Sequence, residues 1–337
     1  MKLVVTGGAG FIGSCFVRMA LHEKWADNVV NVDKLTYAGN LENVQPVAEH
    51  PGYSFVQADI CDGVGMGELL EREAPDAVVH FAAESHVDRS IHSPAAAIHT
   101  NFNGTFSLLE AARRSGIVRF VHVSTDEVYG SIPVPYEADE KFPLQTSSPY
   151  SASKAGSDLL ALSYFTTYEL NVSVTRASNN YGPYQFPEKL IPLMISNALE
   201  DRPLPVYGDG QQVRDWLFVE DHCRAVHAVL KKGEPGEIYN VGGNCSLPNL
   251  EVVRRILQAT GKPETLITRV TDRPGHDRRY ALTNEKLTRM TGWEPRMDFD
   301  TGLRVTIDWY RHNRSWIDRV KSGEYRRFYE LNYADRK

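Results

Sequence analysis

The amino-acid sequence predicts an α/β protein with a doubly wound parallel sheet and a smaller second α/β domain. Short apolar runs alternate with amphipathic segments along the first half of the chain, which is typical of parallel strands with helices on both faces. A glycine-rich turn separates the first apolar run from the first amphipathic segment. Beyond about residue 180 the apolar runs shorten and the alternation loosens, which indicates the second layer.

The chain begins with the order strand, tight turn and helix. Residues 2–6 form a short apolar run, and an amphipathic stretch follows at Phe11–His22. Between them, Gly7, Gly10 and Gly13 have a spacing that lets the main chain approach a pyrophosphate, which the helix N-terminus attracts. The turn therefore predicts a dinucleotide site of the Rossmann type.

An acidic residue at the end of the second strand indicates which dinucleotide binds. The strand at 28–32 ends at Asp33, twenty residues after Gly13, where a carboxylate can accept hydrogen bonds from the adenine ribose. Asp33 would repel a 2'-phosphate, so NAD is favoured over NADP, although Lys34 lies next to it.

Strands at 53–58 and 77–81 continue the predicted sheet. Asp59 and Ile60 follow the first of them on the binding edge, and we expect these two residues to frame the adenine. The residues at 81–85 follow the second strand, and their small side chains leave room for the middle of the cofactor.

The segments that connect these strands are predicted to be helical at about 66–73 and 94–115. Gly63, Gly65 and Gly67 precede the first of these helices and indicate a loose surface loop without chemistry. The longer helix leads into the strand that carries the central cluster of polar residues.

This cluster begins after the strand at 119–123. Thr125, Asp126 and Glu127 place a hydroxyl and two adjacent carboxylates at the C-terminal end of the strand, where open parallel sheets bind their ligands. An Asp-Glu pair alone is more often a solvated turn. Because it follows a nucleotide-binding signature, we expect it to carry out acid–base chemistry.

Tyr150 and Lys154 complete the cluster. They are four residues apart on a predicted helix at 148–168, so both side chains project from one face. A tyrosine starts at a pKa of about 10, and acting as a base near neutral pH requires a decrease of about 3 units, roughly 4 kcal/mol. A nearby lysine and a cationic ring can supply this decrease, although the Tyr-x-x-x-Lys spacing also occurs by chance in helices.

The composition argues against several other classes of protein. The formal net charge of −6 is mild and basic residues are not grouped, so we expect no nucleic-acid partner. The histidines and the four cysteines lack the spacings of metal ligands, so we expect no metal and no disulfide framework. No run approaches the length of a membrane span or a signal peptide, which predicts a cytoplasmic protein without membrane contact.

The second half of the chain is predicted to divide the domains. We expect residues 1–180 to form the NAD-binding domain, with residues 212–243 returning to it, and residues 181–211 and 244–337 to form a smaller substrate-binding domain. The elements predicted there are strands at 172–176, 204–208, 213–219, 236–241 and 266–270 and helices at 187–200, 221–230 and 249–260. The arginine-rich turn at 272–279 is either a solvated charge run or a site for a diphosphate, which guanidinium groups bind in a bidentate manner.

These motifs resemble those of the dTDP-glucose 4,6-dehydratases, a family in the extended short-chain dehydrogenase/reductase superfamily. The glycine turn and the Tyr150–Lys154 pair are shared across the superfamily, whereas the triplet at 125–127 and the Arg-Pro-Gly-His-Asp run at 273–277 are far more specific. The resemblance covers nearly the full length and is carried by residues 6–13, 33–40, 82–90, 124–130, 150–154, 179–183, 187–192 and 272–280.

The resemblance implies three sets of site residues. The catalytic set is Thr125, Asp126, Glu127, Tyr150 and Lys154. The cofactor set, which would hold NAD, is Gly7, Gly10, Phe11, Ile12, Gly13, Asp33, Lys34, Leu35, Thr36, Asp59, Ile60, Phe81, Ala82, Ala83, Ser85, Thr100, Tyr150, Lys154 and Asn180. The substrate set, which would hold the sugar nucleotide dTDP-glucose, is Ser85, Thr125, Asn179, Lys189, Leu190, Pro205, Val206, Tyr207, Arg214, Asn249, Asp272, Arg273 and His276.

The resemblance also implies a reaction. Tyr150 takes the proton of the C4 hydroxyl, which Thr125 holds, while hydride passes to NAD. Glu127 then removes the C5 proton as general base, and Asp126 protonates the departing O6 as general acid. Return of the hydride to C6 gives the 4-keto-6-deoxy sugar and regenerates NAD without an external redox partner. A homodimer is implied too, with the helices that begin near 94 and 150 pairing across a two-fold axis.

Rival interpretations differ in the groups that they use. A sugar-nucleotide 4-epimerase would share Tyr150, Lys154 and the glycines, but it would have no use for Asp126 and Glu127. A UDP-glucose 4,6-dehydratase needs the same catalytic groups and differs only in the base and ribose of its nucleotide. A non-catalytic dinucleotide-binding protein of the same fold would keep the cleft without turnover.

Overall fold

The computed structural model describes residues 1–321 and 324–333. Its strands, in chain order, are β1 (Lys2–Thr6), β2 (Asn28–Asp33), β3 (Tyr53–Gln57), β4 (Ala77–His80), β5 (Arg119–Thr125), β6 (Val172–Ala177), β7 (Asn179–Tyr181), β8 (Leu204–Tyr207), β9 (Val213–Phe218), β10 (Ile238–Val241), β11 (Ser246–Pro248) and β12 (Ile267–Val270). Its helices, in chain order, are α1 (Phe11–His22), α2 (Gly63–Glu73), α3 (Val87–His92), α4 (Pro94–Ile98), α5 (Thr105–Arg114), α6 (Pro149–Tyr168), α7 (Leu190–Leu199), α8 (Val219–Lys232), α9 (Asn249–Thr260), α10 (Glu285–Thr291), α11 (Phe299–His312), α12 (Arg314–Val320) and α13 (Glu324–Tyr333). Except for the segment at 94–115, the predicted elements are present with ends shifted by no more than three residues.

The central element is a seven-stranded sheet with the order β10-β6-β5-β4-β1-β2-β3. Every pairing in it is parallel. The chain winds outwards in one direction from β1 to β3 and in the other from β4 to β6, so a crevice opens between β1 and β4 at the carboxyl edge. The predicted doubly wound α/β fold is confirmed.

Both faces of this sheet are covered, which explains why its strands are nearly continuous apolar runs. Leu3 and Val5 of β1 point to one face and pack in a core with residues of α1 and α8. Val4 points to the other face and packs with residues of α2, α5 and α6. The alternation follows from the two-residue period of a strand.

The residues after β6 build a second group of elements. A three-stranded sheet, β11-β9-β7, and a two-stranded sheet, β12-β8, pack with α7, α9 and α11 around an aromatic core that includes Trp216, Phe218 and Phe299. The chain returns from this group to the large sheet through α8 and β10, whereas β9 pairs within the smaller sheet. The domain boundaries given above stay a prediction.

The prediction of a loose loop at Gly63, Gly65 and Gly67 was wrong, because these residues form the first turns of α2. Asp62 caps this helix: its carboxylate accepts a hydrogen bond from the Gly65 amide at 3.0 Å. Leu69 and Leu70 then anchor α2 in the core beside the sheet. Capping and packing outweigh the low helix propensity of glycine here.

The segment predicted as a helix at 94–115 is helical from residue 94 to residue 114, but it is not α-helical throughout. The segment divides into α4, a π-helical turn at His99–Gly104 and α5, and it is preceded by α3, which the sequence did not indicate. Asn101 lies in the π-helical turn. Its side-chain oxygen accepts a hydrogen bond from the Glu84 amide, and its side-chain nitrogen donates to the Glu84 carbonyl oxygen and to the Ser153 hydroxyl. These bonds join the turn to the end of β4 and to α6, and a π-helical turn is often associated with a functional site.

A buried polar network lies behind the end of β5. Asp158 of α6 is fully buried and accepts a hydrogen bond from Arg176 Nε at 2.8 Å. Arg176 also donates to the Tyr129 hydroxyl at 3.0 Å, and that hydroxyl donates to Asn240 at 2.8 Å. The network therefore links α6 and the turn after β5 to strands β6 and β10.

We expect Asp158→Ala to destabilise the protein by about 3–5 kcal/mol, because the Arg176 guanidinium would remain buried without its carboxylate. Urea denaturation would measure this change. A matched control is Asp209→Ala, which breaks the Asp209–Arg278 ion pair, whose side chains are both 57% exposed. That substitution should change the free energy of unfolding by less than about 1 kcal/mol. Equal losses in the two variants would contradict the importance assigned to the buried network.

Candidate active site

One cleft runs along the carboxyl edge of the large sheet. It is lined by the glycine turn, by the ends of β2, β4, β5 and β6, and by residues of the second group of elements. Every residue of the predicted cofactor set except Leu35 lines this cleft. The Leu35 amide instead donates to the Asp33 carboxylate at 2.8 Å and so shapes the turn after β2.

The glycine turn is packed against the end of β4. Gly7 has a φ of +71°, and a Cβ atom on it would lie 2.6 Å from the amide nitrogen of Ala82. A Cβ atom on Gly13 would lie 2.2 Å from the carbonyl oxygen of Gly7. A side chain at either position would displace main chain, so the turn fits a bound pyrophosphate that approaches the start of α1.

The Asp33 carboxylate lines the cleft at the end of β2. It accepts hydrogen bonds from the amides of Ala9 at 2.9 Å and Leu35 at 2.8 Å. Burial raises the pKa of Asp33, and these two amides oppose that effect. The Lys34 ammonium lies 2.6 Å from the Asp59 carboxylate. Lys34, the cation that would favour the 2'-phosphate of NADP, is therefore paired with Asp59.

Tyr150, Lys154 and Thr125 meet at the centre of the cleft. The Lys154 ammonium donates to the carbonyl oxygen of Val123 at 2.8 Å, and Thr125 lies near the Tyr150 hydroxyl. Burial lowers the pKa of Lys154 to about 8. Burial and the Glu127 carboxylate raise the pKa of Tyr150. The protein alone thus holds Tyr150 as a neutral phenol, and activation requires a further positive charge in the cleft.

The two adjacent carboxylates lie in different surroundings. Burial raises the pKa of Asp126 well above its usual value, and the carboxylates of Glu127 and Asp215 increase it further. Burial also raises the pKa of Glu127, but the cations Arg273, Lys189 and Arg214 oppose this rise. Asp126 is therefore the carboxyl more inclined to keep its proton, and Glu127 the one more inclined to ionise.

The predicted substrate residues fall into two groups. Ser85, Thr125, Asn179, Lys189 and Leu190 line the cleft itself. The other members lie beyond its lining: Pro205, Val206, Tyr207, Arg214, Asn249, Asp272, Arg273 and His276. Val206 packs in the aromatic core of the second group of elements, so a ligand would meet its main chain.

Two of the predicted substrate residues that lie beyond the lining of the cleft have buried polar atoms that suit a ligand. Arg273 Nη1 and Asn249 Oδ1 are buried and have no hydrogen-bond partner among residues 1–321 and 324–333. Asn179 Oδ1, in the cleft, shares this property within the same part of the chain. Buried polar atoms are rarely left unsatisfied, so a polar ligand is the natural partner for this set.

Sequence comparisons assign the family. The chain matches the family model described as GDP-mannose 4,6 dehydratase over residues 4–306. It is 52% identical, over the whole of both chains, to the dTDP-glucose 4,6-dehydratase of Shigella flexneri and to the dTDP-glucose 4,6-dehydratase 1 of Escherichia coli. The chain belongs to the dTDP-glucose 4,6-dehydratase family.

Solved structures of this family have the same architecture. The dTDP-glucose 4,6-dehydratase of Streptomyces venezuelae, solved with NAD bound, superposes with a TM-score of 0.93 at 50% identity and covers 95% of this chain and 100% of its own. The dTDP-glucose 4,6-dehydratase of Bacillus anthracis, in complex with NAD, gives 0.89 at 47% identity with the same coverage. The UDP-glucose 4-epimerase of Thermus thermophilus is more distant, with 0.86 at 33% identity, covering 93% of this chain and 100% of its own.

The cleft of this dehydratase-family protein also contains residues that the sequence did not indicate. Gln185, Phe186, Glu188, Trp216 and His222 line it, and all come from segments after β6. The His222 ring lies 3.0 Å from the side-chain oxygen of the predicted cofactor residue Asn180, and burial lowers the pKa of His222 to about 3. No local pattern could identify these residues, because they reach the cleft only through the packing of the second group of elements.

Proposed function

We infer that this protein is an enzyme that converts dTDP-glucose to dTDP-4-keto-6-deoxyglucose with NAD as its cofactor. The observation that carries the inference is the meeting of a hydroxyl, a phenol and two unequal carboxylates inside a dinucleotide cleft. The same cleft without the two carboxylates would serve an epimerase. Their presence and their different surroundings favour elimination of water.

The residues that would hold NAD fit that cofactor. The glycine turn would receive the pyrophosphate, Asp33 the adenine ribose, and the region around Tyr150 and Asn180 the nicotinamide. When bound, NAD accepts hydride from C4 of the sugar and supplies it to C6 at the end of the reaction.

Tyr150 is proposed as the base for the C4 hydroxyl. Its phenolate form requires a positive charge to offset the burial and the Glu127 carboxylate that raise the pKa of Tyr150. Lys154 contributes its ammonium, which the Val123 carbonyl holds in place, and an oxidised nicotinamide ring is a second cation. Thr125, which lies near Tyr150, would orient the substrate hydroxyl.

Asp126 and Glu127 are proposed to act in the elimination. Once C4 is a ketone, the C5 proton is acidic, and Glu127 removes it as general base. Asp126 donates its proton to O6, which leaves as water. The assignment follows the surroundings of the two carboxyls, because three cations and one carboxylate act on the pKa of Glu127, whereas two carboxylates and one cation, Arg214, act on that of Asp126.

The sugar nucleotide would bind next to these groups. Arg273 and Arg214 are proposed to contact the diphosphate, since guanidinium groups bind phosphate in a bidentate manner. Both cations act on Glu127, so the diphosphate site adjoins the reacting part of the sugar. The proposed preference for a thymine nucleotide over a uracil nucleotide rests on the comparisons with dTDP-glucose dehydratases. UDP-glucose is therefore the rival substrate to test.

A homodimer is part of the proposal. Helices α4 and α6 pack side by side, and the outer surface of α4, α5 and α6 exposes Ile98, Phe106, Leu159 and Tyr168 by between 47% and 57%. Apolar side chains grouped on one surface in this way are typical of an interface between subunits. A cytoplasmic location also stays a proposal. Within residues 1–321 and 324–333, every helix is too short or too polar to span a membrane.

The proposed reaction predicts a specific product. The purified protein, without added NAD, is incubated with dTDP-glucose in deuterated water, and the sugar nucleotide is analysed by mass spectrometry. We expect loss of water with one deuterium retained at C5, since the C5 proton passes through Glu127 while the hydride stays within the sugar. Tyr150→Phe should abolish the conversion. Unchanged dTDP-glucose, with turnover of UDP-glucose when NAD is supplied, would favour the UDP-sugar alternative, and no turnover of either would favour a binding protein.

The acid–base roles predict a separate kinetic effect. Glu127→Gln and Asp126→Asn should each slow elimination by about 10² to 10⁴, the usual range for losing a general acid or base, while NAD and the sugar nucleotide still bind. Stopped-flow detection of the reduced cofactor would show its accumulation if oxidation outpaces elimination. Glu137→Gln, which changes an exposed carboxylate, is the matched control and should leave the rate unchanged. Near wild-type elimination in both site variants would overturn the assignment.

The proposed subunit interface can be tested by light scattering. Wild-type protein should have the mass of a dimer, and the double substitution Phe106→Glu with Leu159→Glu should give a monomer, because two charges would be buried in an apolar contact. Val118→Glu is the control, since Val118 is 70% exposed and lies just before β5. A wild-type protein that is a monomer would contradict the proposal.

A further inference from the structure

Three segments meet at the outer rim of the cleft. Residues 34–40 follow β2, residues 84–89 follow β4, and residues 184–189 precede α7. Each contributes to the lining of the cleft, through Thr36 and Gly39, through Ser85, and through Gln185 and others. The first segment forms one wall of the cofactor region and the third forms the facing wall.

The contacts between these segments are made by Tyr37, Arg89, Phe186 and Glu188, which we call the rim clasp. The Arg89 guanidinium lies 3.7 Å from the centroid of the Tyr37 ring. The Phe186 ring packs edge-on against Tyr37 with a centroid distance of 5.7 Å. Glu188 accepts a hydrogen bond from Arg89 Nε at 3.0 Å and lies near the Tyr37 hydroxyl. Tyr37 thus contacts Arg89 and Phe186 directly, and Arg89 connects it to Glu188.

The surroundings of the rim clasp make these contacts strong. The side chains of Arg89 and Glu188 are 17% and 4% exposed, so their ion pair is largely shielded from water and salt. A cation over an aromatic ring is also more stable when it is shielded from solvent. The clasp is therefore more than a contact between surface side chains.

The second and third segments are also joined without Tyr37. The Lys189 ammonium donates to the carbonyl oxygen of Ser85 at 2.5 Å, and the His86 ring lies 3.4 Å from the carbonyl oxygen of Glu188. Removing the Tyr37 ring would therefore break the contact between residues 34–40 and the facing wall while the facing wall itself stays assembled. A substitution at Tyr37 therefore changes the contact of residues 34–40 with the facing wall and leaves the other contacts of that wall in place.

We propose that the rim clasp retains NAD between turnovers, with Tyr37 as the residue that must leave Arg89 and Phe186 before the cofactor can dissociate. The inference rests on the proposed function, because it takes the cleft as the NAD site. A reaction that returns its hydride to the same sugar regenerates NAD in place, so a closed rim does not obstruct turnover. The clasp residues position the cofactor and do not touch the reacting atoms.

The test is the rate at which bound NAD leaves the enzyme. Protein loaded with radiolabelled NAD is mixed with excess unlabelled NAD, and the label that stays on the protein is followed with time. Tyr37→Ala should release NAD at least about tenfold faster, which corresponds to about 1.4 kcal/mol. Tyr37→Phe keeps the ring on Arg89 and Phe186, so its release should change by less than about threefold. Tyr136→Ala, at a position where Tyr136 is 63% exposed, is the matched control and should release NAD at the wild-type rate.

A second variant distinguishes loss of the rim clasp from misfolding of the Tyr37→Ala protein. Phe186→Ala changes the facing wall and should accelerate release in the same direction, and the double variant should fall short of the product of the two single effects, because both remove the same contact. Turnover by Tyr37→Ala should become dependent on added NAD. Release from both single variants at the wild-type rate, with unchanged melting temperatures, would overturn the clasp. A wild-type protein that binds no NAD would overturn the proposed cofactor site itself, so the two failures are distinguishable.

Discussion

The hydrogen bond from Lys154 to the Val123 carbonyl joins helix α6 to strand β5, and the geometry of the site depends on this junction. Strand β5 lies between β4 and β6 and is buried along its whole length, so a one-residue slip of its register would turn every side chain to the opposite, already packed face. The strand brings Thr125 to the cleft, and α6 brings Tyr150 opposite it. One turn further along α6, Asp158 pairs with Arg176 of β6, which fixes the helix against the next strand.

The proposed chemistry of the site depends on a difference in electrostatic surroundings between two adjacent carboxyl groups. Asp126 and Glu127 are adjacent in sequence, yet three cations, Arg273, Lys189 and Arg214, oppose the rise that burial causes in the pKa of Glu127, while Arg214 alone opposes the effect of two carboxylates on the pKa of Asp126. These cations come from segments that are distant in sequence and belong to the second group of elements. The Rossmann-type sheet therefore supplies the two carboxyls, and the second group makes them different.

The sequence predicted the parts of the site that depend on local patterns. The glycine turn, Asp33 and the Tyr150–Lys154 pair were predictable because turn geometry, strand length and helical period place them without reference to the rest of the chain. The start of α2 was missed because a cap and a core contact outweighed glycine propensity there. The π-helical turn depends on bonds from Asn101 to Glu84 and Ser153, which are 17 and 52 residues away in sequence. His222 and Phe186 were missed for the same reason, since only tertiary packing brings them to the cleft.

The proposed roles also set a requirement for proton balance. In each turnover Tyr150 gains the proton of the C4 hydroxyl, Asp126 gives one to the departing O6, and Glu127 supplies C5 with a proton after the one that it took has exchanged with solvent. The enzyme therefore ends a cycle with one proton too many on Tyr150 and one too few on Asp126, and the two must be reset before the next substrate reacts. Thr125 donates a hydrogen bond to Asp126 and lies near Tyr150, so one hydroxyl adjoins both groups that need to exchange a proton.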